Sequence, residues 1–209
     1  DRQIAPGDRV AARQLLALPA DAPLIVYSGM TFAYRKLDML QQAFASLQAQ
    51  FPNARLALVG GRPAEIEQLR AQAAALGITN VVTYTGQIDQ AQIVPYLHAA
   101  DLLVIPDTVT DITASPLKLF EYMAAGRAVI LPDIPALREV LPPSAGYYFR
   151  RGDATALAAA LAAALADPNR AERAERGLAL VAPHTYTARA ERILALAATV
   201  AQKYGSISA

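Results

Sequence analysis

The 209-residue sequence contains no cysteine. Disulfides, thiolate metal sites and cysteine nucleophiles are therefore excluded, and a reducing compartment is permitted. Histidine is scarce: with only His98 and His184, a site built from several imidazoles is not expected, and neither a metal nor a cofactor is predicted. No apolar run approaches the ~18–20 residues that a membrane span requires. No secretory signal opens the chain. Charge of one sign is not in excess either. The 19 Lys and Arg nearly balance the 18 Asp and Glu, and the net charge of +1 gives no bulk attraction to nucleic acid or an anionic membrane.

What is present is apolar material. Hydrophobic residues make up 54% of the chain and charged ones 18%, which supports a well-buried core and excludes wholesale disorder. The length suits one domain or at most two small ones. The chain opens on Asp1 rather than Met, which reads as a piece of something longer, and a cytoplasmic setting is expected.

A rhythm of strands and helices follows a polar, Pro-punctuated start. Residues 1–23 read as a linker or lead-in with a short helical stretch over 11–18. Apolar runs at 24–28, 54–61, 80–86, 101–106, 127–132 and 146–149 predict six strands. Helices are predicted over 37–50, 63–76, 90–100, 116–125, 135–141, 154–166, 170–181 and 187–203. In the helix over 37–50, Leu37, Leu40, Phe44 and Leu47 share one face. Continuous apolar strands alternating with helices are the pattern of a parallel sheet covered on both faces. The expectation is an α/β, Rossmann-like, doubly wound six-stranded sheet of order 3-2-1-4-5-6 over residues 24–183. The break at Pro183 separates a C-terminal helix over 184–209.

In such sheets ligands bind beyond the carboxyl ends of the strands, where the strand order reverses. Three loops there carry suitable groups. After the first strand, SGMTFAYRK (28–36) places Gly29 where backbone turns tightly, and Arg35 and Lys36 where a phosphate could meet cations and free helix N–H groups. A solvated basic pair is the alternative, and the run is not the G-x-G-x-x-G of dinucleotide folds. After the second strand, GGRP (60–63) lets a helix start sit close to an anion or a base, with ordinary turn chemistry as the alternative. After the fourth strand comes a long loop, DTVTDITASPLKLFEYMAAG (107–126). Ser115 is a good N-cap and Pro116 a good first helical residue, which would aim the N–H groups of Leu117 and Lys118 at the crevice. Glu121 lies one turn further, where a carboxylate can accept from ribose hydroxyls. Alternatively Lys118 and Glu121, spaced i,i+3, are only a surface ion pair.

The landmarks VYSG with YRKLDML, RLALVGGRP, NVVTYTGQI, VPYLHAADLLVIP, SPLKLFEYMAAGRAVILPDIPALREVL and GYYFRRGDATALAAALAAAL occur in that order. Together they resemble the C-terminal donor domain of group 1 glycosyltransferases, the retaining GT-B family 4, over residues 8–203. The resemblance implies a hexosyltransferase-type enzyme that moves a sugar from a UDP-, GDP- or ADP-linked donor to an acceptor. The acceptor would sit on an N-terminal domain of the same protein, through which any contact with a membrane surface would also be made. By resemblance, Gly29, Arg35, Ser115, Pro116, Leu117 and Lys118 surround the diphosphate, Glu121 takes the ribose, and GQI, with Ile88, lies beside the base; Gly61 of the glycine pair is expected at the same donor site, near an anion or the base. Protein cations and a helix end would neutralise the leaving diphosphate without a metal. Two positions depart from the family pattern. Met30 stands where many members carry an Arg, and Thr113 where many carry a Glu near the donor sugar, with Asp111 close by.

Other residues read as structural. His98, His184 and Glu139 fit helix, turn and local pairing roles, and Arg62, Arg150 and Arg151 fit solvated positions. Two functions compete with the transferase: a degenerate, non-catalytic nucleotide-sugar-binding domain, and a GT-B-fold epimerase or phosphorylase. The isolated fragment is expected to be inactive because half the cleft lies elsewhere.

Overall fold

Alternation along the first strand divides the interior into two layers. In the computed structural model, which describes residues 4–107 and 117–205 with side chains to residue 202, β1 (Leu24–Ser28) is buried at every position. Ile25 and Tyr27 enter one apolar cluster and Leu24 and Val26 the other, as the two-residue period of a strand requires. β4 (Leu102–Val104) and β5 (Ala128–Pro132) are buried throughout, and β2 (Arg55–Val59) at every position but Arg55. β3 (Val82–Tyr84) and β6 (Tyr147–Phe149) form the two edges and are partly open.

The six strands are all parallel and run β3-β2-β1-β4-β5-β6, the doubly wound order expected. Val26 pairs with Ala57 on one side and Leu103 on the other, and Leu103 pairs with Val129. A single buried row therefore crosses the centre of the sheet. α2 (Leu37–Leu47), α3 (Pro63–Ala75) and α7 (Ala154–Ala166) supply the first cluster. α4 (Gln90–Ala99), α5 (Leu117–Ala124), α6 (Pro135–Arg138) and α8 (Arg170–Val181) supply the second. In α2 the side chains of Leu37, Leu40, Phe44 and Leu47 are at most 3% exposed. Each such burial stabilises the fold by about 1.5–3 kcal/mol.

Several elements are shorter than their apolar runs. α2 stops at Leu47, where the Phe51 N–H returns to the Leu47 carbonyl at 3.0 Å and the Gln48 amide reaches the Ala54 carbonyl at 3.1 Å. β3 loses its first residues to a 3-10 turn over Thr79–Val81. β4 starts after Asp101, whose carboxylate instead accepts the Leu24 N–H at 2.8 Å.

The lead-in docks on the domain. α1 (Arg9–Leu15) is capped by Asp8, which accepts from the Val10 N–H at 2.7 Å. Ile4 and Ala12 enter the second cluster. Arg13, 2% exposed, donates to the carbonyls of Ala99, Pro19, Ala20 and Ala22 and pairs with Asp101 at 2.6 Å. His98 Nε2–H donates to the Ala5 carbonyl at 2.7 Å, and Gly7 lies so close to its ring that a β-carbon would clash. At the other end, α9 (Tyr186–Gly205) leaves Ile193, Leu194, Leu196 and Val200 exposed. Among the described residues, no helix is long and apolar enough to cross a membrane.

Candidate functional site

The strand order reverses between β1 and β4, so the loops leaving their carboxyl ends diverge and open a crevice. Gly29 stands at the end of β1 with φ 138°, a conformation that side chains rarely adopt. Its N–H donates to the Val59 carbonyl at 2.8 Å. A β-carbon on Gly60 would stand 2.5 Å from the Gly29 carbonyl oxygen. The ends of β1 and β2 therefore approach as closely as two glycines allow. The buried Tyr27 hydroxyl donates to the Met30 carbonyl at 2.5 Å and fixes the next step of the loop. Met30 itself is 52% exposed.

α5 brings the second set of groups to this edge. Leu119, Tyr122 and Met123 form its buried face, which leaves Leu117, Lys118 and Glu121 toward the open side. The Tyr122 hydroxyl accepts the Ser28 N–H at 2.9 Å and thereby ties α5 to the end of β1. Lys118 reaches Gly29: a β-carbon there would be 3.0 Å from both Cε and Nζ of the lysine. The same amine lies 3.7 Å from Glu121 Oε2 and 5.5 Å from the centroid of the Tyr122 ring. The i,i+3 ion pair is therefore present, and it is a loose one. Burial holds the Lys118 amine below the ordinary lysine range; Glu121 pulls against that shift and the Arg35 guanidinium adds to it.

Arg35 closes a 3-10 turn, Ala33–Arg35, just before α2. Its guanidinium lies 5.0 Å from the Tyr34 ring centroid, and its charge is felt at both Tyr27 and Lys118. The Arg35 Nε is buried with no hydrogen-bond partner among the described residues. Lys36, the next residue, adopts a left-handed conformation at φ 54°. Lys118 thus rests on Gly29, pairs loosely with Glu121 and feels the charge of Arg35.

The ends of β2 and β3 are joined beside them. The Gly60 N–H donates to Thr85 Oγ1 at 3.0 Å, and Gly60 bridges Gly86. A β-carbon on Gly61 would meet Thr31 Cγ2 at 2.5 Å. Ile88 is half-buried and packs on the second cluster, just ahead of Asp89 at the start of α4. Ser115, Pro116, Thr113 and Asp111 lie outside the described residues. Asp107, at the start of their loop, is buried and pairs with Arg151 Nε at 2.7 Å. Arg151 is thus not the solvated residue expected: it links the loops beyond β4 and β6.

A groove of about 1030 Å³ runs between α5, α8 and α9, lined by residues that include Leu117, Phe120, Glu121, Leu178, Ile193 and Leu196. It meets the β1–β4 crevice at Glu121, and Arg35 and Lys118 do not line it. His184 lines the same groove, with its ring centroid 5.2 Å from that of Phe120. Among the described residues, no three His, Asp or Glu side chains group as a metal-ligand set would. Thr31 and Glu65 escaped the sequence reading: a loop threonine and a first-turn glutamate 34 residues apart carry no signal that they meet.

The sequence model of the family described as glycosyl transferases group 1 matches residues 8–177. The chain belongs to the group 1 glycosyltransferases. A relative, the D-inositol 3-phosphate glycosyltransferase of Nocardia farcinica, is 32% identical over 200 residues, which is 90% of this chain and 43% of that protein. Among solved structures, the sucrose-phosphate synthase of Thermosynechococcus elongatus superposes with a TM-score of 0.82 at 29% identity, covering 94% of this chain and 49% of that one. HepE of Anabaena, solved in complex with UDP and glucose, shares the fold at a TM-score of 0.78 and 20% identity, covering 93% of this chain and 52% of that one. The chain therefore spans about half the length of these relatives and corresponds to one Rossmann-like half of a GT-B fold.

Proposed function

We propose that this domain binds the nucleoside diphosphate part of a nucleotide-sugar donor at the carboxyl edge of β1 and β4. The parent protein would then transfer the sugar, with retention, to an acceptor held on an N-terminal domain. The observation that carries this reading is the Lys118 amine resting on Gly29, where the charge of Arg35 also acts on it. Two cations in a desolvated place repel, and a diphosphate would offset that repulsion while gaining charge-assisted hydrogen bonds. The backbone at Gly29 has no β-carbon to hold a phosphate away. Glu121, one turn along α5, is open enough to exchange Lys118 for the hydroxyls of a ribose. HepE, which shares the fold, was solved with UDP and glucose, and this supports a nucleotide-sugar ligand. Stabilising charge on a departing diphosphate is the chemistry that such a cluster supplies. The domain alone would not transfer, because an acceptor must be aligned with the anomeric carbon.

Calorimetric titration with UDP, GDP and ADP tests this reading. One of the three is expected to bind, and Arg35→Ala and Glu121→Ala are each expected to weaken it by roughly tenfold or more, as loss of a charged hydrogen bond does. Absence of binding of all three at millimolar concentration would overturn it.

A further inference from the structure

The loops after β1 and β2 are locked together by side chains with no part in the contacts proposed above. Thr31 is 6% exposed, and its hydroxyl donates to Glu65 Oε2 at 2.6 Å. Glu65 Oε1 accepts from the Arg62 guanidinium, with Nε at 2.9 Å. The bonds from Arg62 and then from Thr31 hold the Glu65 carboxyl down to about 2, so it remains an anionic acceptor. Arg62 lies 4.9 Å from the Phe32 ring centroid, Phe32 is 5.4 Å from Tyr34, and Arg35 is 5.0 Å from Tyr34. The series begins at the Thr31–Glu65 bond and ends at Arg35, whose buried Nε meets no protein acceptor among the described residues.

We propose that Thr31 is a positioning residue of the donor site: its hydroxyl bond to Glu65 sets the path of loop 29–36 and so the place of the Arg35 guanidinium. This inference rests on the nucleotide-binding reading. A loop already fixed in its bound path loses less freedom when the ligand arrives, so affinity depends on a bond that never touches the ligand. Gly61 contributes by letting the Thr31 methyl settle against the β2 turn, where any β-carbon would displace it. The Thr31 hydroxyl and the Arg62 guanidinium use different oxygens of Glu65, Oε2 and Oε1, so removing the hydroxyl leaves the guanidinium bond a separate acceptor.

The test is calorimetric titration of the full 209-residue chain with whichever of UDP, GDP and ADP the wild type binds. Thr31→Val is expected to weaken binding roughly three- to tenfold, Thr31→Ser to restore it to within about twofold, and Thr31→Val added to Arg35→Ala to cause no further loss. If Thr31→Val does not fold, Thr31→Ala takes its place with the same expectation. Unchanged affinity in the folded variant overturns the proposal. So does an equal loss with and without Arg35, since Thr31 would then act by another route. If the wild type binds none of the three nucleotides, the donor reading itself has failed and this inference goes with it.

Discussion

The end of the Lys118 side chain rests on Gly29, so closely that a β-carbon on the glycine would stand 3.0 Å from the amine nitrogen. A methyl at residue 29 would push the amine off the β1 edge and would also have to occupy φ 138°, where only glycine is at ease. Gly29→Ala is therefore expected to cost about 1–3 kcal/mol in urea unfolding, together with most of the nucleotide affinity. Wild-type affinity in that variant would separate Lys118 from the site.

The Arg13–Asp101 pair should be the main anchor of the lead-in. Arg13 is 2% exposed, and Asp101 also accepts the first N–H of β1. Arg13→Met takes a donor from four carbonyls and leaves the Asp101 carboxylate with only Arg9 and the Leu24 N–H among the described residues, and is expected to destabilise by about 3–5 kcal/mol in urea unfolding. A loss below about 0.5 kcal/mol, typical of surface changes, would show that residues 4–23 merely lean on the domain.

Lys36 carries its left-handed conformation without the freedom of glycine. Lys36→Gly is expected to raise stability by up to about 1 kcal/mol, since the strain it relieves exceeds the added chain entropy. A lower melting temperature would mean that the lysine side chain contributes more than its backbone costs.

Glu65 sets an acid limit. Its folded-state value of about 2 lies below the ordinary ~4.3 of an unfolded glutamate. The stabilisation is therefore complete above about 4.3 and disappears as pH falls toward about 2. Melting temperatures of wild type and Glu65→Gln, compared from pH 7 to pH 2, should converge at the acid end. A constant gap across that range would contradict the shift.

The sheet was legible because its strands are buried on both faces. LIVYS, RLALV and AVILP read as continuous apolar runs, and strict alternation with helices leaves few topologies. Gly29, Arg35, Lys118 and Glu121 were legible as residue types at loop positions where an α/β sheet meets its ligands, and the structure sets the Lys118 amine on Gly29 beside Glu121, within the field of Arg35. The docking of the lead-in was not legible. It depends on one arginine reaching Asp101, 88 positions away, and local composition around Arg13 looks like that of any polar linker. Arg151 was misread for the same reason, since its partner Asp107 is 44 residues distant. Thr31 and Glu65 belong with these: hydroxyl and carboxylate meet only because the strand order sets β1 beside β2.

The central claim is that one nucleoside diphosphate engages Arg35, Lys118 and Glu121 together. A crystal structure of the chain with its nucleotide bound tests it most directly. The account predicts the diphosphate over Gly29 between the Arg35 and Lys118 cations, with the ribose hydroxyls on the Glu121 carboxylate. A nucleotide seated in the α5–α8–α9 groove, with Arg35 and Lys118 untouched, would contradict it.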